Sequence, residues 1–378
     1  MNIRYLSILA AFCGLFVATM SAQTSTAVAY QYSVLKYPGS FQNTTDALGI
    51  NNNNVIVGSY YIDASSTTHG FKYSNGKYST IDFPGAVYTA VLGINDNGDV
   101  VGEYLLSSPG NFHGFLRLAG VFTTIDDPGA SSTMLAGINN AGTIVGNRDS
   151  NYGFVYKNGT FTDYNPPSRA GLPTYFSTLS GINNPGMFVG FAQSGDYSQG
   201  IWVNGNDTDF LEPPSYFSNN LVNGINGRSD IVGCLNSGGF IAFAVESSSE
   251  GAESAEKFPS LQPLSNPYLK GWCPQGINYS RVIVGGNYVA VPVLTLNVTS
   301  PANQSTHTNP VHVGATASGV NPISQTQVWV NSKEVYHVSG GTLNANITLP
   351  AGNSERFVVQ AVDSKGVIAK VVDSITVK

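Results

Sequence analysis

Gly93-Ile94-Asn95-Asp96-Asn97-Gly98-Asp99-Val100-Val101-Gly102 is the stretch that decides this fold. Its opening tripeptide recurs six times, at Gly49, Gly93, Gly137, Gly181, Gly224 and Gly276, in steps of 44, 44, 44, 43 and 52 residues. A period of this length marks supersecondary units that bury their apolar faces by stacking. Each copy carries four short strand signals. The first ends at the Ile. An Asn-rich turn leads to the second, which reads Val-Ile-Val-Gly at 55–58, Val-Val-Gly at 100–102 and Ile-Val-Gly at 144–146 and 231–233. A Gly-Phe pair opens the third at 70–73, 114–117 and 153–156, and the fourth follows an Asn-Gly or Ala-Gly turn. A Pro-containing loop, such as Phe83-Pro84-Gly85, then leads to the next copy.

Four antiparallel strands in about 44 residues is the pattern of a propeller blade. The sixth copy runs out before its fourth strand. The missing piece stands at the other end, where Tyr32-Ser33-Val34-Leu35-Lys36-Tyr37-Pro38-Gly39 matches Tyr78-Ser79-Thr80-Ile81-Asp82-Phe83-Pro84-Gly85. The expected fold is all-β: a six-bladed β-propeller over 30–292, closed by an N-terminal strand, followed by an immunoglobulin-like β-sandwich over 294–378. The long fifth step is a glutamate-rich insertion at 246–257, expected to be a solvated loop.

Residues 1–22 read as a secretory signal: Arg4, an apolar run over 6–20, and small Ser21 and Ala22 at a cleavage site. Its removal leaves 16 basic and 23 acidic residues, with the deficit concentrated before residue 293. An acidic body without a basic stripe argues against nucleic acid as a partner, and no later apolar run suits membrane insertion. The mature chain is expected to be secreted, extracellular and monomeric, with periplasm and cell surface as alternatives. It keeps two cysteines, Cys234 and Cys273. Cys234 ends the second strand of copy five and Cys273 opens copy six, so a disulfide between neighbouring blades is expected, against the alternative of two buried thiols.

The Gly-Ile-Asn-Asn-x-Gly-x-Val-Val-Gly core, followed by His69-Gly70-Phe71 and His113-Gly114-Phe115, resembles the bacterial extracellular HAF repeat, named for His-Ala-Phe. The third residue set degrades to Tyr152-Gly153-Phe154, then Gln199-Gly200-Ile201 and Gly238-Gly239-Phe240. That resemblance implies export and a propeller-like fold. It carries no assigned reaction and transfers no catalytic residue. From 294 onward, Val298-Thr299-Ser300-Pro301-Ala302-Asn303 and Pro310-Val311-His312-Val313 resemble the opening of a bacterial immunoglobulin-like domain, a spacer or adhesive unit. Without a cysteine pair of its own, that module is expected to pin its core with Trp329.

No Gly-x-Ser-x-Gly, His-Glu-x-x-His or phosphate-binding glycine loop occurs, so no catalytic residue, metal or cofactor is assigned. The repeated Asn51, Asn95, Asn139, Asn183, Asn226 and Asn278 read as turn residues whose amides serve local backbone and tolerate left-handed geometry. Asn95-Asp96-Asn97-Gly98-Asp99 has too few carboxylates in its sister copies to read as a calcium loop. His69 and His113 read as packing or hydrogen-bonding groups on the third strand. The candidate ligand-binding residues are aromatic rings in the second-to-third-strand and inter-blade loops. They are Tyr60, Tyr61, Tyr104, Phe112, Tyr152, Tyr175 and Phe176, then Tyr216, Phe217, Tyr268 and Trp272. Rings among polar turn residues suit a carbohydrate, or a surface or matrix protein. The rival is a polysaccharide hydrolase or lyase, which would need convergence among Asp63, Asp126, Asp127, Asp149, Asp196 and Glu212. A purely structural matrix protein is the third alternative.

Overall fold

The computed structural model describes residues 25–62, 67–167, 176–194, 197–211, 220–235, 238–243, 261–264 and 271–378. The leader, the 246–257 insertion and the residues Asp63, Asp196 and Glu212 lie outside them. The described chain is all-β, with one 3-10 turn at Phe41–Asn43. None of its helices is long and apolar enough to cross a membrane.

Each repeat folds as an antiparallel four-strand unit. In the first these are Asp46–Ile50, Ile56–Tyr61, Thr68–Ser74 and Lys77–Ile81. The units of repeats one and two join through a single parallel bridge, Thr68 to Tyr88, and those of three and four through Tyr152 to Ser177. In the sixth repeat the outer position is taken by Ser25–Val34, antiparallel to Tyr288–Ser300, with Tyr32 opposite Ala290 and Val34 opposite Tyr288. The third-to-fourth-strand turns place Asn75 and Gly76, Ala119 and Gly120, and Asn158 and Gly159 at positive φ, the geometry of a two-residue hairpin.

Two features repeat at the inner edge of the units. The first is glycine. A Cβ on Gly93 would lie 3.0 Å from the Cα of Gly137 and 2.9 Å from the carbonyl of Ala136, and a Cβ on Gly276 would lie 3.4 Å from the Cα of Gly49. Backbone meets backbone there, and only hydrogen fits between. The second is the asparagine that follows. Asn139 Oδ1 accepts the amides of Ala141 and Thr143 in its own turn, while its Nδ2 donates to the carbonyl of Asn183 in the next repeat. The same donation passes from Asn51 to Asn95, Asn95 to Asn139, Asn183 to Asn226, and Asn226 to Asn278. From Asn278 it returns to the carbonyl of Asn51, at 3.2 Å. The left-handed residue of the turn is the third one on, at Asn54, Gly98, Gly142, Gly186, Ser229 and Arg281, and not the repeated Asn as expected.

A second, outer tier of amides surrounds Asp96. Its carboxylate accepts from the backbone and side chain of Asn52 at 2.8 and 2.9 Å and from the amides of Asn140 and Asn184 at 3.0 and 3.2 Å. Partial burial pushes its pKa up, but these donors outweigh it and hold the carboxyl below its ordinary value.

Beyond residue 293 two sheets share one core, built on Leu296, Val313, Val328, Phe357, Val359 and Val371. The expected pin, Trp329, is not in it. Val328 and Val330 face the interior, so the intervening Trp329 faces outward, partly exposed, with Nε1 donating to Gln327. The N-terminal strand reaches further than the sequence pattern implied. Ser25 to Ala29 pair with Val298 to Leu294, and Ala27 is part of the sandwich core. Two strands therefore run unbroken through both bodies.

Asp373 is an interior misfit. It points inward from the last strand, 7% exposed, with Oδ2 unpartnered and Oδ1 3.5 Å from the Ser25 hydroxyl. Burial raises its pKa to about 6, and the Ser25 bond only partly offsets that. A carboxyl whose folded pKa exceeds its unfolded one destabilises the fold above about pH 6, and the penalty is relieved as pH falls toward 4. Asp373→Asn should therefore add about 2 kcal/mol at pH 7 and flatten the gain on acidification, measured by urea unfolding from pH 4 to 8. Gly93→Ala should cost roughly 1–3 kcal/mol in the same assay, because neither backbone can retreat without breaking the amide relay beside it.

Candidate functional site

The second strand of each unit ends, the third begins and the fourth ends at the edge opposite the Asn turns. In repeats one and two this edge is filled. Tyr60 stacks on Tyr37 at 3.6 Å and 10°, and Tyr104 stacks on Phe83 at 3.6 Å and 6°. Their hydroxyls bond Thr80 and Thr124 at 3.0 and 2.8 Å. The imidazoles of His69 and His113 lie against the tyrosines with ring centroids 5.4 and 5.2 Å apart. Each imidazole is held by an aspartate, Asp82 at 2.8 Å or Asp126 at 2.7 Å, which also accepts the next backbone N–H. Each stack ties a loop aromatic from before the repeat to strands two, three and four.

Repeat three keeps the positions and changes the chemistry. Arg148 stands opposite Tyr152 as Tyr104 stands opposite His113. The loop aromatic is replaced by Asp127 and the threonine by Asp163. The guanidinium reaches Asp127 Oδ2 at 3.2 Å and Asp163 Oδ2 at 2.7 Å. The bond to Asp163 first, then that to Asp127, raises the Arg148 pKa against the opposing effect of burial. Tyr152 stands where the histidine was, but turns outward. It is 47% exposed, with the guanidinium carbon 5.9 Å from its ring centre and Phe176 edge-on at 5.9 Å and 70°. The exchange leaves a shallow cleft of about 90 Å³ between Arg148, Tyr152, Asp163, Asn165, Pro166 and Phe176. That is smaller than an enclosed small-ligand pocket, so the cleft can seat only part of a ligand, with the rest on the surface around it.

The sequence-predicted rings therefore separate. Tyr152 and Phe176 come together in the cleft. Tyr60 and Tyr104, 2% and 4% exposed, are packing residues, because a Pro-loop aromatic covers each one. Trp272, 2% exposed, is also core: its ring meets Tyr32 edge-on at 5.5 Å and its Nε1 donates to Gly285 at 2.7 Å. These three do not present a face to a ligand. Tyr61 and Phe112 are partly buried at the same edge, Phe112 edge-on to Tyr88 at 5.2 Å. Tyr175, Tyr216, Phe217 and Tyr268 lie outside the described residues. Reading the rings alone passes over Arg148 and Asp163, although the aligned copies carry the changes from Tyr to Arg and from Thr to Asp at these positions, beside that from aromatic to Asp at Asp127.

Among the rival's carboxylates, Asp126 holds His113, Asp127 is tied to Arg148, and Asp149 caps the amides of Ser131 and Ser132. A different one, Glu103, is shifted by its surroundings. Burial raises Glu103 to about 7, although it accepts from the Tyr88 hydroxyl at 3.3 Å. Burial likewise raises Asp46 and Tyr88, the latter also through the charges of Glu103 and Asp46.

Cys234 and Cys273 stand at disulfide distance, with Cα atoms 5.2 Å apart, joining repeats five and six. Asn223, at the bulge before Gly224, donates to Cys273 Sγ at 3.2 Å and to the carbonyl of Pro274 at 2.9 Å. Among the described residues no group of three or more His, Cys, Asp or Glu is placed to hold a metal ion.

No family model matches the chain. No curated protein matches it either. Among solved structures it is similar to selenomethionine-substituted virginiamycin B lyase from Staphylococcus aureus, at 10% identity and a TM-score of 0.39, over 93% of this chain and 99% of that one. At that distance none of the lyase's chemistry transfers.

The Arg148 cluster has a direct energetic test. Arg148→Ala should cost more than Arg148→Ala combined with Asp127→Ala, because the single change leaves the buried Asp127 without its cation. A double-mutant cycle by urea unfolding should give a coupling of about 1–2 kcal/mol, and an additive pair would remove Asp127 from the cluster.

Proposed function

We propose that this is an exported, non-enzymatic binding protein: a six-bladed HAF-type β-propeller that carries an immunoglobulin-like spacer and holds a carbohydrate or a surface protein at its loop-bearing edge. The six-bladed, closed form is supported by the amide relay returning from Asn278 to Asn51, and by the N-terminal strand pairing with the sixth repeat. Export is supported by the leader pattern in the sequence, and a cysteine pair at bonding distance is compatible with it. The binding role rests on one observation above the others. The third repeat departs from repeats one and two by exposing a tyrosine ring beside an anchored guanidinium–carboxylate cluster, where those two fill the edge with stacked rings.

The hydrolase reading would turn on Glu103 and Tyr88, since a carboxyl near pH 7 is suited to general acid work. In its favour is that value; against it, the carboxyl is already engaged by the Tyr88 hydroxyl at 3.3 Å. One experiment separates the readings. Mature protein lacking 1–22 should be retained on bacterial envelope and on immobilised polysaccharide, and Tyr152→Ala should weaken retention while leaving the unfolding midpoint in place. The same incubations at pH 5 and pH 8 should release no reducing or unsaturated ends. Release that vanishes in Glu103→Gln would move the assignment to an enzyme.

A further inference from the structure

We infer that the ligand of the third-repeat cleft is an uncharged sugar ring that lies flat on Tyr152, and that acidic glycans are turned away. The inference rests on the binding role proposed above and adds the chemical class. Its starting point is the bookkeeping of charge. An arginine beside an exposed ring would by itself invite a carboxylate or sulfate, because its fork matches planar anions. Here the fork is already taken, one arm by Asp127 at 3.2 Å and the other by Asp163 at 2.7 Å. The three side chains together carry one net negative charge, and Asp163 is the more exposed of the two carboxylates, at 45% against 7%. An incoming anion meets that carboxylate before it meets the guanidinium.

What remains available suits hydroxyl groups. Asp163 offers acceptor lone pairs, Arg148 keeps further N–H groups on a guanidinium that is 27% exposed, and both are fixed in place by each other. Fixed donors and acceptors at the rim of an aromatic face can engage neighbouring ring hydroxyls, while the apolar C–H face of a pyranose covers the tyrosine. Phe176 packs edge-on against Tyr152, a contact that limits the side-chain freedom left to lose on binding. Asn165 lines the same cleft, in the position where repeats one and two carry the aspartates that hold a histidine. In those repeats the residue at the Tyr152 position, His69 or His113, lies against the tyrosine of its own repeat instead.

The test is affinity electrophoresis or calorimetry of the mature chain against neutral polysaccharides (glucans, mannans, galactans) and against polygalacturonate and alginate. At least one neutral polymer should bind, about tenfold more weakly in Tyr152→Ala and near the parent value in Tyr152→Phe, which keeps the ring. The uronate polymers should bind more weakly than any neutral ligand, and Asp163→Asn should narrow that gap. Preference for the uronates, or neutral binding indifferent to Tyr152→Ala, overturns the inference. Retention on envelope without binding to any neutral glycan overturns it while leaving the binding role intact, whereas no retention on anything removes both.

Discussion

One primary amide per repeat does two incompatible-looking jobs, and the rest of the molecule is arranged around that. The carbonyl end of Asn139 and its equivalents organises the turn of its own repeat, and the NH₂ end is spent on the neighbour's backbone. Each bond is worth only about 1 kcal/mol net. Leaving either end unmade inside the fold would cost more than making it gains, which is why the residue type does not vary across six copies. Aspartate could not replace it, having no donor for the neighbour's carbonyl, and glutamine would place the amide one carbon too far out. The glycine two positions earlier sets the distance over which the amide must reach.

Where that inner edge tolerates no change, the outer loop-bearing edge tolerates a great deal. A stack of three rings in repeats one and two, and a cation between two carboxylates in repeat three, fix the same trio of strands. The two solutions are alike in shape, since a guanidinium is as flat as a phenol ring. They differ in what they leave over. The ring stack consumes its own faces, whereas the ion cluster bonds through its rim and frees the neighbouring tyrosine. A site can arise in this way without disturbing the frame that carries it.

Much of this was legible beforehand. The tripeptide gave the unit length, the Asn-Gly turns gave the hairpins, and the likeness of 32–39 to 78–85 located the outer strand of the last unit. Burial of individual rings was not legible. Tyr60 and Tyr61 are consecutive on one strand and point opposite ways, and only the loop ring of Tyr37 decides which is covered. Trp329 could have been placed correctly, because its two valine neighbours claim the interior by alternation. Arg148 is hidden for a different reason: a pattern of aromatic residues carries no mark at the position where the aromatic has been replaced. The double pairing of Ser25–Val34 lies beyond any pattern in the repeat, since half of that strand belongs to a module the repeat does not describe.

That shared ribbon has a mechanical consequence. Residues 25–34 and 288–298 are laced together on both sides of a bulge at Ala29–Tyr30, with one half in the repeat body and the other in the sandwich. Tension along that ribbon is therefore shared between two antiparallel backbones and loads their cross-links in shear rather than peeling them one by one. A hinge is the usual join between modules; this one is built more like a splice in a rope, and cutting away the sandwich would fray the last sheet of the body it hangs from.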